Sequence, residues 1–332
     1  MELIKYSSIE NSVRDKFVDQ IKTEGKDGGD WVVTEKVHGG QFSLYYDGQE
    51  VKASTRTAFL SAGTDFFNWE KVKQENEDKV KDIFRILKSR GEDVDYIIVY
   101  GELFGGDYPQ AGVNKIKGAR RLQKGVYYHP DNLFYVFDIK VNGRYLTVDE
   151  VNPLFEQVGL FYARTLFRGS LEACMNHAND FLSNIPGWLG LPQIEGNIAE
   201  GIVIKPVDPR FLSSGDRVIL KSKNEKFEER KSIKKRPVAQ DEVTRTPAGI
   251  RLGRELESLV TENRLQNVLS KMTGSPAFGE VMKALDSDAW EEFGKDHRQE
   301  YDNLDKKEQK EISRAVNQRA VKLVRAWHLK NC

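Results

Sequence analysis

Two periodicities divide the chain. From Trp31 to Lys223 apolar residues come in short runs, several alternating with polar ones at the period of two expected of half-buried strands. Trp31 to Glu35 is the first run. Phe42, Leu44 and Tyr46 then alternate with Ser43, Tyr45 and Asp47, Asp47-Gly48 predicts a hairpin turn because both centres must tolerate positive φ, and Val51 to Ser54 is the return strand. Ile97 to Gly106 reads as a buried strand running into glycines, and Phe134 to Val141 as another, turned by Asn142-Gly143 into Arg144 to Val148. Glu200 to Pro206 and Arg217 to Lys223 are the last two strands. Helical spacing falls on residues 8–22, with Ser7 or Ser8 as the cap, on Phe66 to Lys88, and on most of Val151 to Asn184, closed by Pro186-Gly187-Trp188.

Over residues 225–246 Lys, Arg and Glu dominate, apolar residues thin out, and Pro237 and Pro247 punctuate the chain. Beyond them the strand pattern vanishes. Thr261, Ser275-Pro276 and Asp286 to Asp288 read as helix starts, and the last helix puts Ile312, Ala315, Val316, Ala320, Leu323, Val324 and Trp327 on one face. The expected fold is α+β: a sheet-bearing domain over 1–235, a linker over 236–247 and a smaller all-helical domain over 248–332.

Composition adds bounds rather than chemistry. A length of 332 residues suits two domains. Lys+Arg and Asp+Glu are both 51, and this overall neutrality leaves room for a local basic groove that phosphates would feel. Two cysteines, Cys174 and Cys332, make no disulfide framework and fit a reducing compartment. With no leader-like start and no apolar run of membrane length, a soluble, intracellular, cytoplasmic protein is expected, and a monomer.

There is no G-x-x-x-x-G-K-[ST], G-x-G-x-x-G or G-x-S-x-G, and the histidines lack partners at zinc-ligand spacing. What recurs is a charged residue beside or just inside a strand, often next to glycine: Glu35 and Lys36, Arg56, Glu102, Asp138, Glu200, Lys205, Lys221 and Lys223. A period of two puts Lys221 and Lys223 on one face, opposite Val218 and Leu220. Each alone reads more often as a strand-end charge or structural ion pair. So many together imply that they meet each other or a ligand, because an unpaired buried charge costs several kcal/mol.

Lys36-Val37-His38-Gly39 resembles the K-x-[DH]-G nucleophile motif of covalent nucleotidyltransferases, in the His form typical of the RNA ligase 2 family. That family includes the phage double-strand RNA ligases and the trypanosome RNA-editing ligases. Further blocks follow in its order: Ser54 to Thr57, Tyr100 to Gly106, Phe134 to Ile139, Glu200 to Pro206, and Val218 to Asn224. With the lysine motif they run from Lys36 to Asn224, and the resemblance covers about two-thirds of the chain. The chain departs from the family at Gly40-Gln41, where the family usually has Thr-Asn; Gln41 keeps an amide and Gly40 loses a hydroxyl.

The resemblance implies an ATP-grasp-like, antiparallel-sheet nucleotidyltransferase domain. It implies too that Lys36 attacks the α-phosphate of ATP, AMP passes to an RNA 5′-phosphate, and a 3′-OH displaces AMP. A lysine of pKa ~10.4 is only about 0.1% neutral near pH 7.4, so burial and the cations Lys221 and Lys223 would have to favour its neutral form. Glu200 and Glu102 would hold Mg2+ or Mn2+, Phe137 would stack on adenine, and Arg56 would hold a phosphate or the RNA end. Glu35 and Lys205 are expected at the nucleotide, and His38 and Arg217 at RNA. From Arg217 to Arg236 nine basic residues face three acidic ones, which suits a phosphate backbone, and so does the basic, tyrosine-bearing loop 107–131. The helical domain would grip duplex RNA across a nick, or would serve stability alone. A DNA ligase or mRNA guanylyltransferase on the same core is the nearest alternative, and a non-catalytic RNA-binding protein a more distant one.

Overall fold

A computed structural model describes residues 1–122, 124–228 and 246–331. The chain divides into two compact units, Met1–Lys226 and Phe227–Cys332. The expected linker over 236–247 lies outside the described residues except for Thr246, which caps a helix, and Pro247, its first residue.

The first unit holds two five-stranded sheets. In one the order is β1 (Glu10–Asn11), β10 (Leu220–Lys223), β9 (Gly201–Pro206), β2 (Trp31–Glu35), β8 (Thr165–Gly169). In the other it is β4 (Val51–Ser54), β3 (Gly40–Tyr46), β5 (Ile97–Gly105), β6 (Asn132–Val141), β7 (Arg144–Tyr145). Every pairing is antiparallel except β1 with β10. The turn at Asn142-Gly143 has positive φ at both residues, as a two-residue hairpin needs.

The period of two sorts each strand's faces. In the first sheet Trp31, Val33, Ile202, Ile204 and Leu220 bury one face, against Phe17 and Ile21 of α1 (Asp15–Thr23) and Leu171 and Cys174 of α4 (Leu171–Met175). In the second, Phe42, Leu44, Ile97, Val99 and Val136 pack on α2 (Trp69–Ser89) and α3 (Val148–Val158). α3 starts where a capping box permits: Thr147 accepts from the Glu150 amide, and Glu150 from that of Thr147. The inner faces meet in a third cluster of Tyr6, Tyr45, Ile98, Tyr100, Tyr145 and Ile219, with Phe137 and Val203 at its edge.

Several boundaries differ from the sequence expectation. Residues 8–22 are not one helix: Glu10–Asn11 form β1 along Leu220 and Lys221, and the helix starts only at Asp15. Residues 151–184 are less helical than the spacing suggests, since β8 pairs with β2 as an edge strand; Phe167 is exposed, so burial alternation marks the strand poorly. Pro186-Gly187-Trp188 lies within α5 (Ile185–Trp188).

The second unit is helical among its described residues: α6 (Pro247–Leu259), α7 (Glu262–Leu269), α8 (Phe278–Asp302) and α9 (Lys306–Asn331). Thr261 caps α7. Asp286 to Asp288 lie inside α8, which starts after Ser275-Pro276 with Ala277 as its cap. Leu252, Leu256, Val281, Leu285, Phe293, Ile312, Val316 and Val324 form its core. No helix among the described residues is long and apolar enough to cross a membrane.

Candidate active site

β2 and β9 pair with Thr34 opposite Val203, and β9 pairs with β10 so that Lys221 faces Val203 and Lys223 faces Gly201. The inner face of this sheet therefore carries Lys221 and Lys223 together, with Leu220 buried on the other side. Lys36 leaves β2 on the same inner face as Thr34. Gly201 (φ +144°) lets the β9 backbone come close to β10; a Cβ there would lie 2.1 Å from the Ser222 carbonyl oxygen. Gly39 is fixed similarly, its missing Cβ lying 2.4 Å from the Leu103 oxygen.

Three cationic or ionisable groups from distant segments meet one carboxylate. Lys36 Nζ lies 2.7 Å from Glu200 Oε2, His38 Nδ1 3.5 Å from the same oxygen, and Lys223 Nζ 3.0 Å from Glu200 Oε1. Glu200 is 1% exposed. Burial pushes its carboxyl up, but Lys36, Lys223 and His38 outweigh this and hold it well below the usual carboxylate range. The His38 amide donates to the Tyr128 hydroxyl (2.8 Å), a contact the sequence marked only as a tyrosine in a basic loop.

The opposite sheet supplies Arg56, Glu102 and Phe137. Arg56 follows β4 and donates to Gln41 Oε1 and Ser8 Oγ, both at 3.4 Å. The Gln41 amide, at the position of the family's Asn, thus steadies Arg56. Gln41 and Tyr135 flank the half-buried Glu102 on adjacent strands. Phe137, half-buried, sets its ring 5.0 Å from that of Tyr6.

Three expected contacts are not where a nucleotide or RNA would meet them. Glu35 points to the opposite side of β2 from Lys36 and is 1% exposed; it accepts from Ser183 Oγ (2.5 Å), the Asn184 amide (2.9 Å) and Asn184 Nδ2 (3.3 Å). Burial raises its carboxyl pKa against those bonds. Lys205, 5% exposed, is spent on Asp138 Oδ1 (2.8 Å) and the Phe137 carbonyl (2.9 Å). Arg217, 4% exposed, donates to Asp138 Oδ2 (2.9 Å), Asp138 Oδ1 (3.3 Å) and the Tyr6 hydroxyl (3.1 Å), its guanidinium 3.8 Å from the Tyr145 ring centroid. Tyr6 in turn donates to Asp138 (2.5 Å). A second carboxylate thus gathers the cations expected at the ligand. Nothing in the sequence pattern marked Tyr6, Ser183 or Asn184, because each acts through a contact more than a hundred residues away.

The chain is similar to known RNA ligases. The sequence model of the RNA ligase family matches residues 29–223, and that of the T4 RNA ligase 2 C-terminal domain matches 246–322. The mitochondrial RNA-editing ligase 2 of Trypanosoma brucei brucei is 28% identical, covering 94% of this chain and 88% of its own length. RNA-editing ligase 1 of that organism is also 28% identical, over 84% of this chain and 73% of its own. A solved Naegleria gruberi RNA ligase with PPi is similar at 18% identity and a TM-score of 0.42, over 67% of this chain and 56% of that one, so this chain spans little more than half its length. With the first family model covering over half of the sequence and the second its helical unit, the chain belongs to the RNA ligase family: it is an RNA ligase with a nucleotidyltransferase domain and a T4 RNA ligase 2-type helical C-terminal domain.

Proposed function

We propose that this ligase is ATP-dependent and seals 3′-OH/5′-phosphate ends, foremost nicks in duplex RNA, through AMP carried on Lys36. The supporting observation is the convergence on Glu200 of Lys36 and His38, from the end of β2, and of Lys223, from β10. Lys36 Nζ leaves Glu200, gives up its ammonium proton to solvent and attacks the α-phosphorus of ATP as the neutral amine; an N–P bond forms as the bond to pyrophosphate breaks. An RNA 5′-phosphate oxygen then displaces the lysine, and a 3′-OH attacks that 5′-phosphorus with AMP leaving. Lys221 and Lys223, on the inner face with Lys36, neutralise charge building on the phosphates.

Arg56 holds a phosphate or the RNA end, Phe137 offers its ring to adenine, and His38 is placed for RNA. Glu200, with Glu102, fits a hard divalent cation, which takes one or two carboxylates together with phosphate oxygens; bound Mg2+ or Mn2+ would supply Lewis-acid screening of those oxygens. Glu35, Lys205 and Arg217 serve this site as supports. The protein acts as a monomer, and its two cysteines suit a reducing compartment, the cytoplasm foremost. Cell fractionation tests the compartment, since two relatives carry "mitochondrial" in their names.

Incubation with ATP and magnesium adds one AMP to the intact mass, whereas GTP adds nothing. End-joining proceeds on nicked RNA in preference to nicked DNA. A protein that forms no covalent adenylate overturns the reading.

A further inference from the structure

The two longest helices carry opposite charge. α8 has eight acidic residues and three basic ones, and α9 has eight basic and two acidic, with only Asn303 to Asp305 between them. α9 buries Ile312, Val316, Ala320 and Val324. On its far side Lys307, Lys310, Arg314, Lys322 and Arg325 follow one another at steps that keep them on one face, and all five are exposed. At 1.5 Å per residue this stripe runs about 27 Å.

Most cations elsewhere in this unit are matched: Arg251 pairs with Glu300, Arg264 and Lys271 with Asp288, and Arg298 with Asp302. Even Arg319, on the flank of α9, lies 3.9 Å from Glu257 and donates to the Val260 carbonyl. The five stripe residues have no ion-pair partner among the described residues. Like charges at helical spacing repel, and of the two acidic residues of α9 only Glu311 shares this face.

We propose that this face of α9 docks on the phosphate backbone of duplex RNA. The proposal rests on the substrate reading above and assigns it a surface. A linear array of cations matches a regular line of phosphates. Unpaired RNA asks instead for exposed rings on which its bases stack, and the exposed residues of α9 include no aromatic side chain. A duplex bound by its contour needs none.

The test uses the full chain with Lys310→Gln, Arg314→Gln, Lys322→Gln and Arg325→Gln, and a nicked RNA duplex as probe. Binding is measured from low to moderate salt. Each neutralised phosphate contributes about 0.9 to the slope of log K against log salt, so the slope should fall by about three to four and affinity at ~0.1 M salt by at least tenfold. The pair Lys310→Gln and Lys322→Gln should lose about half as much slope, and Lys310→Arg with Lys322→Arg should restore it, which separates charge from a folding defect. Labelled AMP transfer to Lys36 from ATP should be unchanged in every variant; its failure in the unaltered protein would count against the ligase mechanism and not against this surface. An unchanged slope and affinity in the folded four-site variant overturns the proposal, whatever else that face binds.

Discussion

The sheet domain contains two clusters of similar parts, a buried carboxylate and the basic side chains around it, with different surroundings. Around Asp138 every group is closed in: the side chains of Lys205 and Arg217 are 6% and 3% exposed, and both have further partners in the Phe137 carbonyl and the Tyr6 hydroxyl. Around Glu200 the side chains of Lys36 and His38 are 17% and 13% exposed, and that of Lys223 is 9% exposed. The first cluster is saturated and holds the sheets together. The second is more open to solvent, which suits the proposed displacement of Lys36 from Glu200 by a phosphate. Charge count does not separate the two clusters; access does.

The sharpest break of this comparison is Lys36→Ala. It should abolish covalent attachment of labelled AMP while the cooperative melt stays intact. Labelling at the unaltered level would remove Lys36 from the role of nucleophile.

Next come matched substitutions of the two carboxylates. Asp138→Asn leaves Lys205 and Arg217 without a counter-charge where water hardly reaches, a loss of about 3–5 kcal/mol for a broken buried pair. Adenylylation should fall only with the folded fraction. Glu200→Gln should cost less, about 1–3 kcal/mol, because Lys36 can turn toward water. AMP transfer should nevertheless drop by orders of magnitude. Denaturant melts beside single-turnover labelling check both, and equal stability losses would erase the distinction.

These clusters also show what the sequence could reveal. Strand periodicity put Lys221 and Lys223 on one face, and the glycine-flanked blocks marked Lys36 and Glu200; both signals are local. Whether a strand charge meets a ligand or another charge depends on the facing sheet, so Lys205 and Arg217 looked like Lys223 in sequence. Asp138 took them because β6 brings it against β9 and the entry to β10, aided by Tyr6 from the far N-terminal segment. Glu35 was misjudged by one position: neighbouring strand residues face opposite ways, and only the Ser183–Asn184 loop shows what lies on its side. Strand β8 escaped because an exposed edge leaves no clear apolar alternation.

Lys221→Ala and Lys223→Ala are expected to slow adenylylation by orders of magnitude without loss of the cooperative melt. Lys223 touches Glu200 at 3.0 Å, so its removal also loosens the hold on that carboxylate. A melt lost in either variant would move that lysine to the structural side of the comparison.

The smallest expected effect is on acid stability, and it tests whether both clusters are charged in the folded protein. Arg217 and Lys205 hold the Asp138 carboxyl well below its usual range although burial opposes them, as Lys36, Lys223 and His38 do for Glu200. In the unfolded chain these groups titrate near ~3.9 and ~4.3. Below about pH 5 the unfolded state takes up protons that the folded state refuses, so stability rises with pH there. The contribution is fully present above the unfolded values and disappears as pH falls through the lower folded ones. The urea midpoint should therefore be insensitive to these two groups from pH 7 to 5 and decline below that. Asp138→Asn should flatten the decline, since its amide has no proton to gain, and so should Glu200→Gln. An equally steep decline in both variants would mean that neither carboxylate is held ionised by its cations, and the contrast between a closed and an openable ion cluster would lose its electrostatic basis.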